Sequence, residues 1–329
     1  MRRREFIAVL CSAATQWPLA ALAQPEGRVR QLGVMMPGAE SDPVTHAYAA
    51  ALRQKLEQLG WIESRNLRLH LRFDDGDLAR TRRNAEELVG LAPDVLVVTS
   101  VALTRALQEQ TRTIPIVFVQ VGDPVASRVV RSIAHPGGNT TGITNLFPSI
   151  AGKWLELLKE AAPQVARVAL IFNPELFANE PYLAEIEAAA AALSVKVTRS
   201  PVRGAAEIER AIDAVGAEPN GALILVPPPP LAIDRELILR LARLHRLPAI
   251  VSSRLYAAEG GLISYGPDTL DLYRGVASYV DRILRGAKPG ELPVQFPTKF
   301  ELVINLKAAS AIGLTIPESL LFRADEVIR

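Results

Sequence analysis

Two hydrophobic rhythms alternate along this chain. From Arg30 onward, short apolar runs trade places with stretches whose apolar residues recur every three or four positions. These are the periods of a buried strand and an amphipathic helix. The run "LGVMM" (residues 32–36) reads as a strand. In "DPVTHAYAAALRQKLEQLG", Val44, Ala47, Tyr48, Ala51, Leu52, Leu56 and Leu59 share one helical face, and Gly60 marks the stop. "NLRLHLRF" alternates strictly, with Leu67, Leu69, Leu71 and Phe73 on one side, so this strand is half open to water. A helix starting near Asp77 leads to "DVLVV" (residues 94–98), apolar throughout and so buried on both faces. Another helix leads to "IPIVFVQ" (residues 114–120), then to a glycine-rich loop and "TGITNL".

The pattern then restarts. "RVALIFN" (residues 167–173) precedes an Ala-rich helix ending near Leu193, and "VKVTR" follows. Helices near 205–215 and 234–245 flank "GALILVPPPP" and lead to "LPAIV". A short helix, "GGLISYG", a helix over 268–285 and the strand "ELVINL" close the series. Strand–helix alternation with short loops implies parallel sheets covered on both faces. Two successive series of four or five strands predict an α/β protein of two doubly wound lobes, the first ending near Asn145 and the second starting near Ile150.

Composition adds an export signal. The chain has 329 residues, 49% of them hydrophobic and 22% charged, enough for two medium domains. Residues 1–23 combine a basic start (Arg2, Arg3, Arg4), an apolar middle and a small-residue end at Ala21-Leu22-Ala23, the build of a secretory signal cleaved before Gln24. "RREFI" also resembles the twin-arginine motif, so general export and the twin-arginine route stand as alternatives. The chain's one Cys, Cys11, lies in this segment and follows Leu10, whereas a lipid-attachment Cys follows a small residue. Its removal leaves no disulfide, thiolate nucleophile or Cys metal site. Of 37 basic and 35 acidic residues, three Arg and one Glu go with the signal, leaving 34 of each. A nucleic-acid binder carries a basic excess instead. No later apolar run reaches the roughly 18 residues of a membrane span. The expectation is a soluble periplasmic protein with no membrane insertion after cleavage.

In open parallel sheets, ligands bind beyond the carboxyl ends of strands, where helix N-termini present free N–H groups. Those positions hold Met36-Pro37-Gly38, "TSVALT" (residues 99–104), "VGDPV" (121–125), "NPELFAN" (173–179), the four prolines 227–230, "SSR" (252–254) and Tyr265-Gly266. Ser100 at a helix start suits a carboxylate, and equally a plain N-cap. Asp123 before Pro124 suits an N-cap with Pro at the first helical position, or a carboxylate aimed at a ligand amine. A carboxylate site and an ammonium site on neighbouring strands fit a free amino acid. The prolines would make a rigid apolar wall or simply a stiff loop.

Enzyme chemistry finds little support. His46, His70, His135 and His245 are scattered without metal-ligand spacing. Ser264 in "GGLISYG" lacks the Gly two residues earlier that a nucleophile elbow needs; Leu262 stands there. "HPGGNTTG" (residues 135–142) has no Lys-Ser/Thr pair of a P-loop, and its glycines come too late for a dinucleotide turn. Asn139 begins a chance glycosylation sequon. The loop reads as a lead into a hinge, its glycines permitting a sharp turn. No catalytic residue, metal or cofactor is expected.

"GDPV", "HPGGNTTGITN" and the long run "ILRGAKPGELPVQFPTKFELVINLKAASAIGLTIPESLLFRADEVI" resemble the ABC-transporter substrate-binding family that includes tryptophan/tyrosine-binding lipoproteins. The resemblance covers the whole mature chain. It implies a type I periplasmic binding fold: two lobes, a multi-strand hinge and a ligand between them. It implies lobes of residues 24–145 plus about 267–296, and 146–266 plus about 297–329. The chain would cross near Asn145, Gly266 and Pro297. It implies no catalysis, a small-molecule ligand, and an ABC permease in the inner membrane as partner; a sensor of the same fold is the alternative. Carried over by position, Met36, Ser100, Val101, Ala102, Gly122 and Asp123 would be first-lobe contacts. Asn173, Pro227, Ser252 and Tyr265 would be second-lobe or hinge contacts. The prolines at 227–230 replace a more polar loop, Ser310 stands where Lys is common, and the lipid-attachment Cys is missing.

Overall fold

The computed structural model describes residues 28–145, 147–175, 179–226 and 232–329. The export signal expected over 1–23 and the prolines 227–230 lie outside the described residues. The first series of apolar runs forms a five-stranded parallel sheet. Its strands are β1 (Arg30–Met36), β2 (Leu67–Phe73), β3 (Val95–Thr99), β4 (Ile116–Val121) and β5 (Thr140–Thr144), in the order β2-β1-β3-β4-β5. The strictly alternating β2 lies at one edge, and the uniformly apolar β3 is buried along its length. Helices α1 (Pro43–Gln58), α2 (Leu78–Gly90) and α3 (Val101–Gln110) connect the strands. Asp42 caps α1 by accepting from the Val44 N–H, and Pro43 opens the helix.

The second sheet has seven strands, more than the pattern predicts. They are β6 (Arg167–Phe172), β7 (Lys196–Pro201), β8 (Gly221–Leu225), β9 (Ala249–Val251), β10 (Ile263–Pro267), β11 (Phe300–Asn305) and β12 (Glu326–Ile328), in the order β12-β11-β10-β9-β8-β6-β7. Its helices are α4 (Ala151–Ala161), α5 (Asn179–Leu193), α6 (Ala205–Gly216), α7 (Ala232–Leu244) and α8 (Arg254–Ala258). One correction to the all-parallel expectation concerns β10 and β11, which run antiparallel. Between them the chain leaves the sheet and comes back.

That excursion is α9 (Thr269–Leu284), capped by Asp268, whose side chain accepts from the Asp271 N–H. Leu272, Tyr273, Val276, Ala277 and Val280 of α9 pack into the core formed by Leu32, Val34, Leu52, Val95, Val97 and Val117 of the first lobe. The chain then returns, and Leu302 and Ile304 join the second-lobe core with Trp154, Leu170 and Ile224. Two short helices, α10 (Leu306–Ala311) and α11 (Glu318–Arg323), lead to β12.

The glycine-rich loop serves packing. Gly137 and Gly138 have φ of +71° and +61°, the left-handed region open to glycine. The Asn139 amide donates to the Ile114 carbonyl at 2.7 Å, and the Gly137 N–H to the Gly290 carbonyl at 3.2 Å. Thr141 Oγ1 donates to the Leu292 carbonyl at 2.6 Å. So the loop holds the segment that runs between the lobes on the final crossing.

Candidate ligand-binding site

The sequence-predicted residues are placed mainly by the carboxyl ends of the strands. On the first lobe, Ser100 follows β3 with φ 79° and ψ 162°, a region almost confined to glycine that costs about 1–3 kcal/mol. Its N–H donates to the Val119 carbonyl at 3.1 Å, and its carbonyl accepts from the Thr104 N–H at 3.2 Å. The backbone is therefore held firmly in a strained shape. The hydroxyl is held loosely: it accepts from the Leu103 N–H at 3.5 Å, the outer limit of a hydrogen bond. Both open readings survive, since Ser100 is the N-cap of α3 with Oγ weakly engaged. Val101 is half-buried and Ala102 exposed in the first turn, where N–H groups lack intrahelical partners.

Behind Ser100, Thr99 Oγ1 lies 2.7 Å from the Tyr273 hydroxyl, and the Tyr273 ring stacks on Tyr48 at 5.0 Å. Burial pushes the Tyr273 phenol well above its ordinary value. Burial also raises Tyr48, against the opposing effect of a hydrogen bond with Thr269. Among the smaller influences on Tyr48, Arg254 lowers its pKa and Glu301 raises it.

At the end of β4 the ladder is irregular. Its register shifts between Val119 and Val121, and Gln120 has φ 56°. This aims the Gly122-Asp123 turn. Asp123 Oδ1 accepts from the N–H groups of Val125 (3.0 Å) and Ala126 (2.9 Å). The capping reading is thus observed. Among the described residues Asp123 Oδ2 takes no hydrogen bond, and a carboxylate can accept further donors there. Met36 is fully buried in the first-lobe core, and its carbonyl accepts from the Asp74 N–H at 3.3 Å.

On the second lobe, Asn173 Oδ1 accepts from the Glu175 N–H at 2.9 Å, and the Asn173 carbonyl accepts from the Asn179 amide. Pro227 lies outside the described residues. Ser252, half-buried, has its carbonyl pressed against Gly266 of β10. The Tyr265 ring lies beside Phe300 at 6.1 Å, and its carbonyl accepts from the Trp154 indole N–H at 2.7 Å. Ser100, Gly122, Asp123, Asn173 and Ser252 thus each follow the end of a strand, the first three on one lobe and the last two on the other, while Tyr265 lies within β10.

Sequence reasoning missed several residues beside the crossings. Asn145 follows β5, and its side-chain oxygen is buried without a partner. Thr144 Oγ1 donates to the Val121 carbonyl at 2.7 Å. Lys299 bonds Asp268 at 2.8 Å, and the Asp268 N–H donates to the Lys299 carbonyl at 3.0 Å, clasping two crossings. Arg254 sits between Glu301, at 3.7 Å, and Glu326. In the sequence Asp268 carried a signal as an Asp at a helix start, and Asn145 only as the place of a crossing.

Burial opposes ionisation of Asp268, but Lys299 and the Asp271 N–H outweigh it and hold the carboxyl below its ordinary 3.8. A depressed folded pKa means the contribution is present above about pH 4 and lost as pH falls through the folded value. Asp268→Asn should therefore lower the unfolding midpoint at pH 7 and lower it less at pH 3. Thermal unfolding of both proteins across that range checks this; an equal deficit at both pH values rules it out.

Ser264 is 1% exposed inside β10, paired with Val251 and Val303. A ladder position is not the strand-to-helix turn of a nucleophile elbow. Among the described residues no group of three or more His, Cys, Asp or Glu could hold a metal ion, and no helix is long and apolar enough to cross a membrane.

Two α/β lobes, between whose cores the chain passes three times, have the architecture of a two-lobed binding protein of the periplasmic type. The model of the ABC transporter substrate binding protein family matches residues 40–328, and the chain belongs to that family. A tyrosine-binding protein of Clostridioides difficile is 25% identical over 260 residues, 79% of this chain and 74% of the relative. The crystal structure of a conserved domain protein from Vibrio cholerae superposes with a TM-score of 0.77 at 29% identity, covering 91% of this chain and all of that one. An ABC domain from Streptococcus pneumoniae in complex with L-Trp gives a TM-score of 0.78 at 24% identity, covering 92% of this chain and all of that one.

Proposed function

We propose that this chain is the periplasmic solute receptor of an ABC importer and that it closes on a free amino acid or a closely related carboxylate. The observation that carries this reading is the juxtaposition on neighbouring strands of a helix N-terminus at Ser100 and a carboxylate at Asp123. A zwitterion needs both: N–H groups and a positive dipole end for its carboxylate, an anion for its ammonium. In this reading Val101, Ala102, Gly122 and the Met36 main chain complete the first-lobe contacts, and Asn173, Pro227, Ser252 and Tyr265 close from the other side. The first lobe comprises residues 24–145 with about 267–296, the second 146–266 with about 297–329. The names of the tyrosine-binding and L-Trp-bound relatives support an amino acid. The Arg-rich, small-residue-terminated start of the chain supports export.

Only the closed state makes contacts from both lobes, so ligand shifts the protein toward closure. Moving that balance from 1:99 to 99:1 requires about 5.5 kcal/mol of differential binding. A charge-assisted interaction at each end of an amino acid supplies a large part. A permease can then read closure.

The test is a thermal-unfolding screen of residues 24–329, unfolded and refolded to strip carried-over ligand, against the amino acids and small aromatic acids. A ligand at about 100 times its Kd adds about 2.7 kcal/mol. No shift with any amino acid would sink the assignment. Once a ligand is found, Asp123→Ala should weaken it by about tenfold or more, roughly 1.4 kcal/mol, measured by titration calorimetry on folded protein. Unchanged affinity would leave Asp123 as a cap alone.

A further inference from the structure

We infer that Asn145 is the second acceptor for the ligand's ammonium group and sets the preference of the site for amino acids over the corresponding plain acids. The inference rests on the amino-acid reading of the cleft and deepens it.

Asn145 is placed by the chain's first crossing. The residue before it, Thr144, is fully buried at the end of β5, and Phe147 beyond it lies in the second-lobe core. The Asn145 N–H donates to the Val121 carbonyl at 3.2 Å. Thr144 Oγ1 binds that same carbonyl and also the Gly122 carbonyl, at 2.5 Å. Asn145 therefore shares one corner with the Gly122-Asp123 turn, and the hydroxyl of Thr144 locks that corner.

The side chain is unusual for its setting. Its Oδ1 is buried and has no hydrogen-bond partner. Buried polar atoms are nearly always paired, because an unpaired one costs free energy. At the same corner, the Val125 and Ala126 N–H groups bond Asp123, and Asn145's own N–H bonds Val121. The oxygen therefore lacks a donor that the protein's own surroundings do not supply.

Ammonium chemistry provides one. An ammonium group has three N–H donors and no acceptor, and taking it out of water is tolerable only when those donors are paired. Asp123 has one oxygen occupied as a cap, which leaves the other for the ligand. One carboxylate oxygen does not satisfy three donors. A neutral amide oxygen beside it adds an acceptor without the repulsion of a second carboxylate. Ser264 Oγ, a hydroxyl oxygen also buried without a partner, lies within a strand ladder away from this corner.

The test compares each amino acid with its desamino acid, which keeps the carboxylate and side chain and lacks the ammonium. The twenty standard amino acids are screened on refolded wild-type protein. The tightest binder is then titrated beside its desamino form (for tryptophan, indole-3-propionate). Asn145→Leu matches the amide in shape and removes the acceptor. It should weaken the amino acid about tenfold or more, in line with loss of a hydrogen bond to a charged group, and leave the desamino acid nearly unchanged. Asn145→Asp keeps the acceptor and adds charge. It should hold or tighten the amino acid and weaken the desamino acid, and it decides the matter should the Leu variant not fold. Equal weakening of both ligands by Leu would make Asn145 a hinge residue and overturn the inference; so would unchanged binding of both. A wild-type protein that binds the desamino acid as well as the amino acid would also overturn it while leaving the carboxylate site standing. If the wild type binds no amino acid, the broader reading fails first, and that is seen before any variant is made.

Discussion

Gly266→Ala should destabilise the protein by about 3 kcal/mol or more, at the upper end of what overpacking costs. A Cβ at position 266 would lie 1.9 Å from the Ser252 carbonyl oxygen and 2.7 Å from its carbon. Both are main-chain atoms, so no rotamer change relieves the clash; β9 and β10 must move apart. Gly266 also pairs with Glu301 across the antiparallel ladder, which fixes it from the other side. The strand sits where the chain leaves the second lobe for α9, so ligand affinity should fall with stability. Gly204→Ala is the control, because a Cβ there meets nothing within 4 Å. Urea unfolding of the two variants checks the comparison. A Gly266→Ala midpoint equal to wild type would mean that β9 and β10 are not so closely packed.

Gly266 also shows where the sequence stops being informative. The apolar runs marked eleven of the strands and the long helices because burial on one face or two leaves a period in the sequence. Direction leaves none. "ELVINL" is buried whether it runs parallel or antiparallel, and only the excursion through α9 makes β11 antiparallel to β10. The three-residue β12 and the short helices α10 and α11 are too brief to show a period. Glycines were legible as turn formers in "HPGGNTTG". The need for glycine at 142, where a Cβ would lie 2.1 Å from the Phe118 carbonyl oxygen, comes from a strand distant in sequence and was not.

The places of the candidate residues were legible in part for a similar reason. Ser100 and Asp123 follow strands, and position after a strand can be read from the pattern. Their sequence context left cap and ligand roles open. The structure adds the positive φ that holds Ser100 and the Asp123 oxygen that capping leaves available. Asn145, Tyr48 and Lys299 acquire their surroundings only through tertiary contacts with residues far along the chain. Met36 was named for its place after a strand, yet its side chain points into the core. Strand alternation decides such matters, and a uniformly apolar run conceals it.

Trp154→Ala should cost about 3–5 kcal/mol, the usual range for removing a large buried aromatic. Trp154 is fully buried on α4, stacks on Tyr182 at 5.7 Å and meets the edge of Phe147 at 6.2 Å. Phe147 follows the first crossing, and its N–H donates to the Tyr182 hydroxyl at 3.0 Å. The indole N–H donates to the Tyr265 carbonyl on β10, just before the second crossing. One side chain thus joins two of the crossings to the second-lobe core. Trp154→Phe separates the contributions. It keeps a ring for Tyr182 and removes the donor to Tyr265, so it should lose about 0.5–1.5 kcal/mol for the bond and somewhat more for the missing ring atoms. Urea unfolding followed by circular dichroism gives both values. If the Phe variant loses as much as the Ala variant, the bond to Tyr265 outweighs the stacking, and position 154 acts mainly by holding β10. If the Phe variant equals wild type, the crossings are held by packing alone. A measured difference of several kcal/mol between the two would show that ring packing with Tyr182 and Phe147, rather than the bond to Tyr265, supplies most of what Trp154 contributes where the chain enters and leaves the second lobe.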